Sequence, residues 1–251
     1  KYWLWINDQL VIFEGGLKRG PSPSGTYYDP VDIAPYLTKG TNTIAVLLWH
    51  FGKDGFSHIN SGKAALLFEA IAPGLEIVSD ASWQCALYEA YQNTEAPFPN
   101  YRMPESNIRF DARQAITNWN RTSFEGSLPG AVCVGKAGKA PFGELVERPI
   151  PQWKNSGLLS YVSVRESLRG DTLFCRLPYN AQITPYLKVE AEAGKTIHIR
   201  MDNYEGGSER NVRAEYITRE GEQEYESYGW MNGHEVYYII PEGVKGVDVK
   251  Y

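Results

Sequence analysis

The strongest constraint on the fold is a series of short runs in which apolar and polar residues alternate along the last hundred residues of the chain. A period of two places one face of a strand in a core and the other in solvent. Turn residues separate the runs at the intervals typical of β-sandwiches. The predicted strands cover residues 159–164, 172–177, 186–191, 196–201, 212–218, 223–228, 235–240 and 244–251. These runs predict an all-β domain in which helices are nearly absent.

The first ninety residues show the same pattern with longer loops. Residues 2–14 predict a hairpin, because aromatic and branched residues flank Asn7-Asp8, a pair that tolerates the positive φ of a tight turn. Residues 29–37 predict one short helical turn. Two apolar runs, 43–51 and 63–70, predict strands on either side of a polar and aromatic loop. A further strand is expected within residues 74–88, with Trp83 inside it.

The middle of the chain lacks any regular period. In residues 91–153 turn residues, prolines and scattered aromatics outnumber periodic positions, and Arg148-Pro149-Ile150-Pro151 has the composition of a stiff linker. We therefore expect two β-sandwich domains, at residues 1–90 and 155–251. An irregular segment, 91–154, would wrap the first and join it to the second. The first is expected to lack its amino-terminal part.

Charge and composition limit the partners. The chain has 251 residues and a net charge of -5, without a basic block, so the electrostatic footprint of a nucleic-acid or anionic-membrane binder is missing. The longest apolar run, 44–49, is far shorter than a membrane helix needs. Aromatic residues make up 13% of the chain, and such rings either fill sandwich cores or stack on sugar faces. Neutral ligands are therefore favoured.

Catalytic and metal-binding patterns are weak. Glu222, Glu224 and Glu226 alternate on one predicted strand face, which is typical of solvated surface, and no apolar surroundings are expected to raise one of their pKa values. Asp29 with Asp32 is the other acidic candidate, and neither set is predicted to be a catalytic pair. The four histidines and three cysteines lack the spacing of common metal sites. No catalytic residue, metal or cofactor is predicted from these patterns.

The loop at residues 52–62 is the strongest candidate for binding. Sugar recognition on a sandwich uses an aromatic platform with polar groups beside it, in some cases with Ca²⁺ held by oxygen ligands. The candidate carbohydrate-binding residues are Trp49, Asp54, Phe56, His58 and Asn60. Alternatively, this loop packs on a neighbouring domain, with Trp49 and Phe56 in the contact.

A second candidate surface is the aromatic stretch before the last strands. Tyr228, Trp230 and His234 are of the type that a docking surface exposes, whereas Asn232-Gly233 predicts a hairpin turn at the same place. Making the turn and docking another domain are both open roles for this stretch.

Several strings of residues resemble a known family. WLWINDQLV and TYYDPVDIAPYLTKGTNTIAVLLWHFGKDGFSH resemble the amino-terminal galactose-binding-like sandwich of bacterial α-L-rhamnosidases, with Asp8 where many members have glycine. EAGKTIHIRMDNY and EYITREGEQEYESYGWMNGHEVYYIIPEGVKGVDVKY resemble the β-sandwich that precedes the catalytic barrel in the same enzymes. FDARQAITNWN and ERPIPQW match the joining segment in style. The strings occur in the family's order and cover nearly all of the chain.

This resemblance implies two jelly-roll sandwiches without a catalytic site. In the family, inverting hydrolysis of terminal α-L-rhamnosides takes place in an (α/α)6 barrel that follows the second sandwich. That barrel would begin at about Tyr251 of this chain. The implied partners are that barrel, as part of the same polypeptide, and a rhamnose-containing glycan. Tyr228, Trp230 and His234 would then be barrel-docking residues. The parent would be a polysaccharide-degrading enzyme, periplasmic or secreted, in a bacterium. Some relatives use Ca²⁺ in a rhamnose-binding module, but no ligand set can be matched here.

Three functions remain open from the sequence. The chain is an accessory region of a glycoside hydrolase that supports the barrel and binds carbohydrate, a free-standing lectin-like module, or a purely structural interaction module.

Overall fold

The protein is all-β, as the alternating runs predict. The computed structural model describes residues 1–17, 19–52, 54, 58–72, 74–94, 107–202 and 213–251. The first strands are β1 (Tyr2–Ile6), β2 (Gln9–Gly15), β3 (Gly25–Tyr28), β4 (Ile44–Leu48), β5 (Glu69–Ala72), β6 (Leu75–Val78), β7 (Tyr91–Asn93), β8 (Ile108–Asp111) and β9 (Glu144–Glu147). The later strands are β10 (Ser163–Glu166), β11 (Thr172–Ile183), β12 (Tyr186–Ala191), β13 (Thr196–Met201), β14 (Arg213–Ile217), β15 (Gly221–Glu226), β16 (Met231–Ile239) and β17 (Lys245–Lys250). Short 3₁₀ turns cover Ala34–Tyr36 and Ala112–Gln114.

The chain forms two compact units. The first contains Lys1–Leu87 and Ile116–Asn155, and the second contains Tyr88–Ala115 and Ser156–Tyr251. The predicted irregular segment is thus divided between them. Its strands β7 and β8 belong to the second unit, and β9 belongs to the first. The domain bounds at residues 90 and 154 remain a prediction.

The first unit is built on the hairpin β1–β2, to which β4 adds on the other side of β1. Asn7 and Asp8 have φ of 47° and 69°, the left-handed conformation expected of a tight hairpin turn. Leu4, Ile6 and Ile12 are buried at the centre of this sheet's core. The unit also contains the parallel pair β3–β9 and the hairpin β5–β6.

Two predictions for the first unit are wrong. The strand expected at residues 63–70 begins only at Glu69, and the preceding Phe68 amide donates to the Ser79 hydroxyl (3.0 Å) instead of a ladder carbonyl. Trp83 lies in a bend rather than a strand. Its indole Nε1 donates to the Val78 carbonyl (2.9 Å), and its ring packs against Phe68. Both differences arise from contacts that local alternation does not encode.

The second unit consists mainly of two sheets. One has seven strands in the order β10-β11-β16-β13-β14-β8-β7, and the other has the order β15-β12-β17. All neighbours are antiparallel except β14 and β8. The core between them has fully buried side chains from both sheets. These include Cys175, Leu187, Ile197, Ile199, Val236 and Tyr238.

The predicted turn at Asn232-Gly233 is also wrong. Both residues lie inside β16, opposite Gln182 and Ala181 of β11. The chain instead bends at residues 228–229, between β15 of one sheet and β16 of the other, where the Ser227 hydroxyl accepts the Gly229 amide (3.2 Å). A side-chain hydrogen bond of this kind makes a turn without the Asn-Gly pair.

No helix in the described ranges has the length and hydrophobicity needed to cross a membrane.

Candidate functional site

Four aromatic rings stack in the first unit, where β4 leads into the candidate loop. We call Trp3, Trp49, Phe51 and His58 the aromatic column. The centroid distances are 6.2 Å from Trp3 to Trp49, 5.0 Å from Trp49 to Phe51 and 4.1 Å from Phe51 to His58. Trp49 and Phe51 are two residues apart in an extended segment, so their side chains point to the same side.

Burial differs along the aromatic column. Trp3 is fully buried and His58 is 4% exposed, whereas Trp49 and Phe51 are half-buried. Stacked rings cover each other's faces, so Trp49 and Phe51 provide the accessible part of the column. His58 therefore supports Phe51 from within the protein.

The Lys1 side chain lies over the same rings. Its Nζ is 4.5 Å from the Trp49 ring centroid and 3.4 Å from the Glu14 carboxylate. Burial lowers the pKa of Lys1 to about 8, although Glu14 opposes this effect. The ammonium group occupies a ring face of Trp49 that a sugar would otherwise use.

The polar residues of the candidate loop hold the loop together. The Asp54 Oδ1 accepts the Asn60 amide at 2.7 Å, and the Asn60 side chain bridges the Gly52 carbonyl (3.2 Å) and the Gly62 amide (2.8 Å). Asp54 is exposed, and its Oδ2 has no hydrogen bond to any described residue. Phe56 lies outside the described residues.

The structure therefore brings Trp49, His58 and the pair Asp54 and Asn60 to one loop. Phe51 links Trp49 to His58 and was missed by the sequence analysis. Its position two residues after Trp49 is the signal that could have identified it. The assignment of these residues to carbohydrate binding stays a prediction.

The second candidate surface lies in the second unit. Tyr228 and Trp230 are half-buried in the connection before β16, and the His234 side chain is 58% exposed. Its Nδ1 is 3.5 Å from Asp202 Oδ2, while Asp202 Oδ1 accepts the His234 amide (2.8 Å). His234 is thus fixed on a strand, while the two aromatic residues lie in the preceding connection.

The acidic residues of β15 are engaged separately. Glu222 forms an ion pair with Lys188, and Glu224 accepts the Tyr186 hydroxyl at 2.9 Å. Burial raises the pKa of Glu226, with a smaller contribution from Glu224. The expectation that no carboxyl pKa on this face is raised is therefore wrong, because Glu226 is withdrawn from solvent at the end of the strand.

The other acidic pair does not form a site either. Asp29 is buried in an ion pair with Arg148 (2.8 Å), and Asp32 is exposed and accepts the Ala34 amide (3.0 Å).

A cavity of about 480 Å³ in the second unit is lined by mainly apolar side chains. They include Val164, Leu173, Ile240, Val244 and Val247, with Glu166 and Asp248. Asp29 and Asp32 belong to the first unit and do not line this cavity.

Among the described residues, no three or more His, Cys, Asp or Glu side chains come together as a metal-binding group.

In sequence, the chain matches no protein-family model and no curated protein. Several solved structures have a similar fold, and three of them are α-L-rhamnosidases. They come from Dictyoglumus thermophilum (TM-score 0.64, 21% identity), Aspergillus terreus (0.65, 19%) and Streptomyces avermitilis (0.66, 18%, complexed with L-rhamnose).

Each similarity covers 99% of this chain but only 29%, 31% and 25% of the respective rhamnosidase. The chain therefore spans less than a third of the length of these enzymes. At such low identity the comparison shows a shared fold across both units. One of these enzymes comes from Aspergillus, so the fold is not restricted to bacteria.

Proposed function

We propose that this chain is a non-catalytic accessory region of an α-L-rhamnosidase-like glycoside hydrolase. The observation that carries the proposal is the similarity of both units, over 99% of the chain, to a quarter to a third of three α-L-rhamnosidases. A match to one sandwich alone would be a weaker argument, because many unrelated proteins contain sandwiches. Because both units match in the same order along the chain, an unrelated protein that merely contains a sandwich explains the similarity less well.

The carboxyl groups support a non-catalytic role. Inverting hydrolysis needs two carboxyls facing each other across a space that admits sugar and water. Among the described residues, Asp29 is ion-paired with Arg148 and Glu222 with Lys188, so these carboxyls are engaged in other contacts. We infer that the reaction takes place elsewhere in the parent polypeptide, in a catalytic barrel.

In this proposal the second unit supports and orients the barrel. Tyr228, Trp230 and His234 are the candidate contact residues, since aromatic side chains with a polar tip are favoured in interfaces. Trp230 and Tyr228 are half-buried and His234 is exposed. Substituting His234 in the full-length parent tests this role through the stability of the barrel.

An assay with an aryl α-L-rhamnoside tests the non-catalytic assignment. The purified chain should release no aryl alcohol above the uncatalysed rate, under conditions in which a complete α-L-rhamnosidase is active. Release that increases with the concentration of the chain, and that persists through further purification, would overturn the assignment.

Carbohydrate binding by the loop is a second candidate function. The half-buried rings of Trp49 and Phe51 and the exposed carboxylate of Asp54 in the same loop region favour it, although only the ring edges are accessible, since neighbouring rings and Lys1 cover the faces. Calorimetry with rhamnose, galactose and plant-type oligosaccharides would show heat with at least one of them. The double variant Asp54→Ala with Phe56→Ala would abolish that heat, whereas Asp32→Ala would retain it. Absence of heat with every sugar would sink this candidate.

A further inference from the structure

The outer face of the seven-stranded sheet carries a cluster of arginines and aromatic rings at its β10 end. We call Arg165, Phe174, Arg176 and Tyr237 the arginine-aromatic cluster. Arg165 is paired with Phe174 across β10 and β11, and Phe174 is paired with Tyr237 across β11 and β16. The residues between them in sequence, Cys175, Val236 and Tyr238, are fully buried, so the cluster faces away from the core.

The rings hold one of the arginines in place. The Arg165 Cζ lies 4.5 Å from the Phe174 centroid, and Phe174 meets Tyr237 edge to face at 5.2 Å. When a guanidinium lies over a ring, the N–H groups at the guanidinium edge remain available to donate hydrogen bonds to an anionic oxygen. This arrangement reduces the conformational entropy that a ligand must remove on binding.

The two arginines of the cluster, Arg165 and Arg176, are exposed and are not held in ion pairs within the described ranges, while the nearby Glu235 carboxylate accepts the Tyr237 hydroxyl (3.5 Å). Glu235 lies opposite Arg176 in register, but the two are not joined by an ion pair in this part of the chain. As diagonal neighbours on adjacent strands, the two arginines have side chains roughly 7 to 8 Å apart at their bases.

The cluster has a defined limit along the sheet. Further along the same row, the Arg200 Cζ lies 5.7 Å from the Tyr237 ring. Beyond it, Arg213 is buried and its Nε donates to Glu215 at 2.7 Å. The exposed, charged part of the row is therefore the β10–β11–β16 end.

We propose that the arginine-aromatic cluster binds a saccharide that carries carboxylate groups, such as a chain of uronic acids. The arginines would bind the carboxylates through paired N–H groups, and the accessible parts of the rings would contact the sugar. Other molecules also carry carboxylates. We choose a saccharide because this inference rests on the proposed function as an accessory region of a glycoside hydrolase.

Calorimetry of the purified chain with an oligogalacturonate tests the proposal, with the methyl ester of the same oligosaccharide as the neutral control. Binding should be at least about tenfold weaker for Arg165→Gln and for Arg176→Gln. Arg165→Lys keeps the positive charge but loses the paired N–H groups of the guanidinium, so it should also weaken binding. Lys245→Gln, which removes a charge from the opposite sheet, should leave the affinity unchanged. Circular dichroism and thermal melting establish that each variant is folded.

The proposal fails if the unsubstituted chain shows no binding up to about 1 mM. It also fails if the methyl ester binds equally well, or if an oligo-aspartate or a single-stranded oligonucleotide binds with the same affinity and the same dependence on Arg165. None of these outcomes bears on the rhamnoside assay, so failure here leaves the accessory assignment to be judged by its own test.

Discussion

Asp29 and Arg148 form a buried ion pair in the first unit. Their side chains are 1% and 4% exposed, and the Arg148 Nε is 2.8 Å from Asp29 Oδ1. Asp29 Oδ2 accepts the Tyr2 hydroxyl and the Gly16 amide, both at 2.7 Å. One carboxylate thus joins β1, the loop after β2 and the segment after β9.

We predict that Asp29→Asn destabilises the protein by about 3 kcal/mol, because it leaves the Arg148 guanidinium buried without its counter-charge. The free energy of unfolding in urea measures this loss. The matched variant Asp32→Asn, at an exposed position three residues away, should change stability by less than about 0.5 kcal/mol. Equal stability of the two variants would show that the ion pair contributes little.

Glu226 makes stability depend on pH. Its pKa in the folded protein is raised above 4.5, first by burial and then by Glu224. The folded state then binds more protons than the unfolded state, so stability should fall as the pH rises from about 4.5 through the raised pKa. Glu226→Gln should remove this fall and be more stable than the unsubstituted chain at neutral pH.

Urea unfolding at a series of pH values checks the Glu226 prediction. Glu224→Gln provides the control, since removing the neighbouring carboxylate should lower the Glu226 pKa and reduce the fall in stability without abolishing it. A Glu226→Gln variant with the same pH dependence as the unsubstituted chain would contradict the assignment.

At the scale of elements, the β1–β2 hairpin explains why aspartate can stand at position 8. Asp8 has a φ of 69°, and its carboxylate accepts the amide and hydroxyl of Thr122. The Asn7 side chain meanwhile donates to the Tyr36 carbonyl (2.9 Å) and accepts the Thr43 amide (3.0 Å). The turn therefore anchors two distant segments as well as reversing the chain.

We predict that Asp8→Ala is less stable than Asp8→Gly by about 1 kcal/mol. Both variants lose the Thr122 contacts, but only glycine adopts the positive φ without strain. The midpoint of urea unfolding compares them, and Asp8→Asn should remain close to the unsubstituted chain because asparagine tolerates this conformation. Equal midpoints for the alanine and glycine variants would mean that the backbone conformation does not limit this turn.

The sequence predicted elements best where alternation and turn chemistry agree. The predicted strands 186–191 and 196–201 have the same bounds as β12 and β13, because buried and exposed positions alternate in both. Asn232-Gly233 misled the prediction, since its turn preference is overridden by pairing with β11. Local preference is a weak guide where a long neighbouring strand supplies hydrogen bonds.

At the scale of the whole molecule, the contacts that define the candidate sites are mostly non-local. The chain places Asp29 beside Arg148 and Trp3 beside Trp49, and neither pair is recognisable from spacing. The arginine-aromatic cluster is visible only once the strand order is known, because β16 lies between β11 and β13. The sequence therefore predicted the fold class and the family resemblance, but not which side chains meet.

The central claim is that this chain belongs to a longer rhamnosidase-like polypeptide, and the mass of the native polypeptide tests it most directly. The native protein should be identified by mass spectrometry of peptides from this sequence. We predict a polypeptide roughly three to four times as long as these 251 residues, since they correspond to 25% to 31% of the similar enzymes. A native polypeptide of only 28.3 kDa would contradict the account.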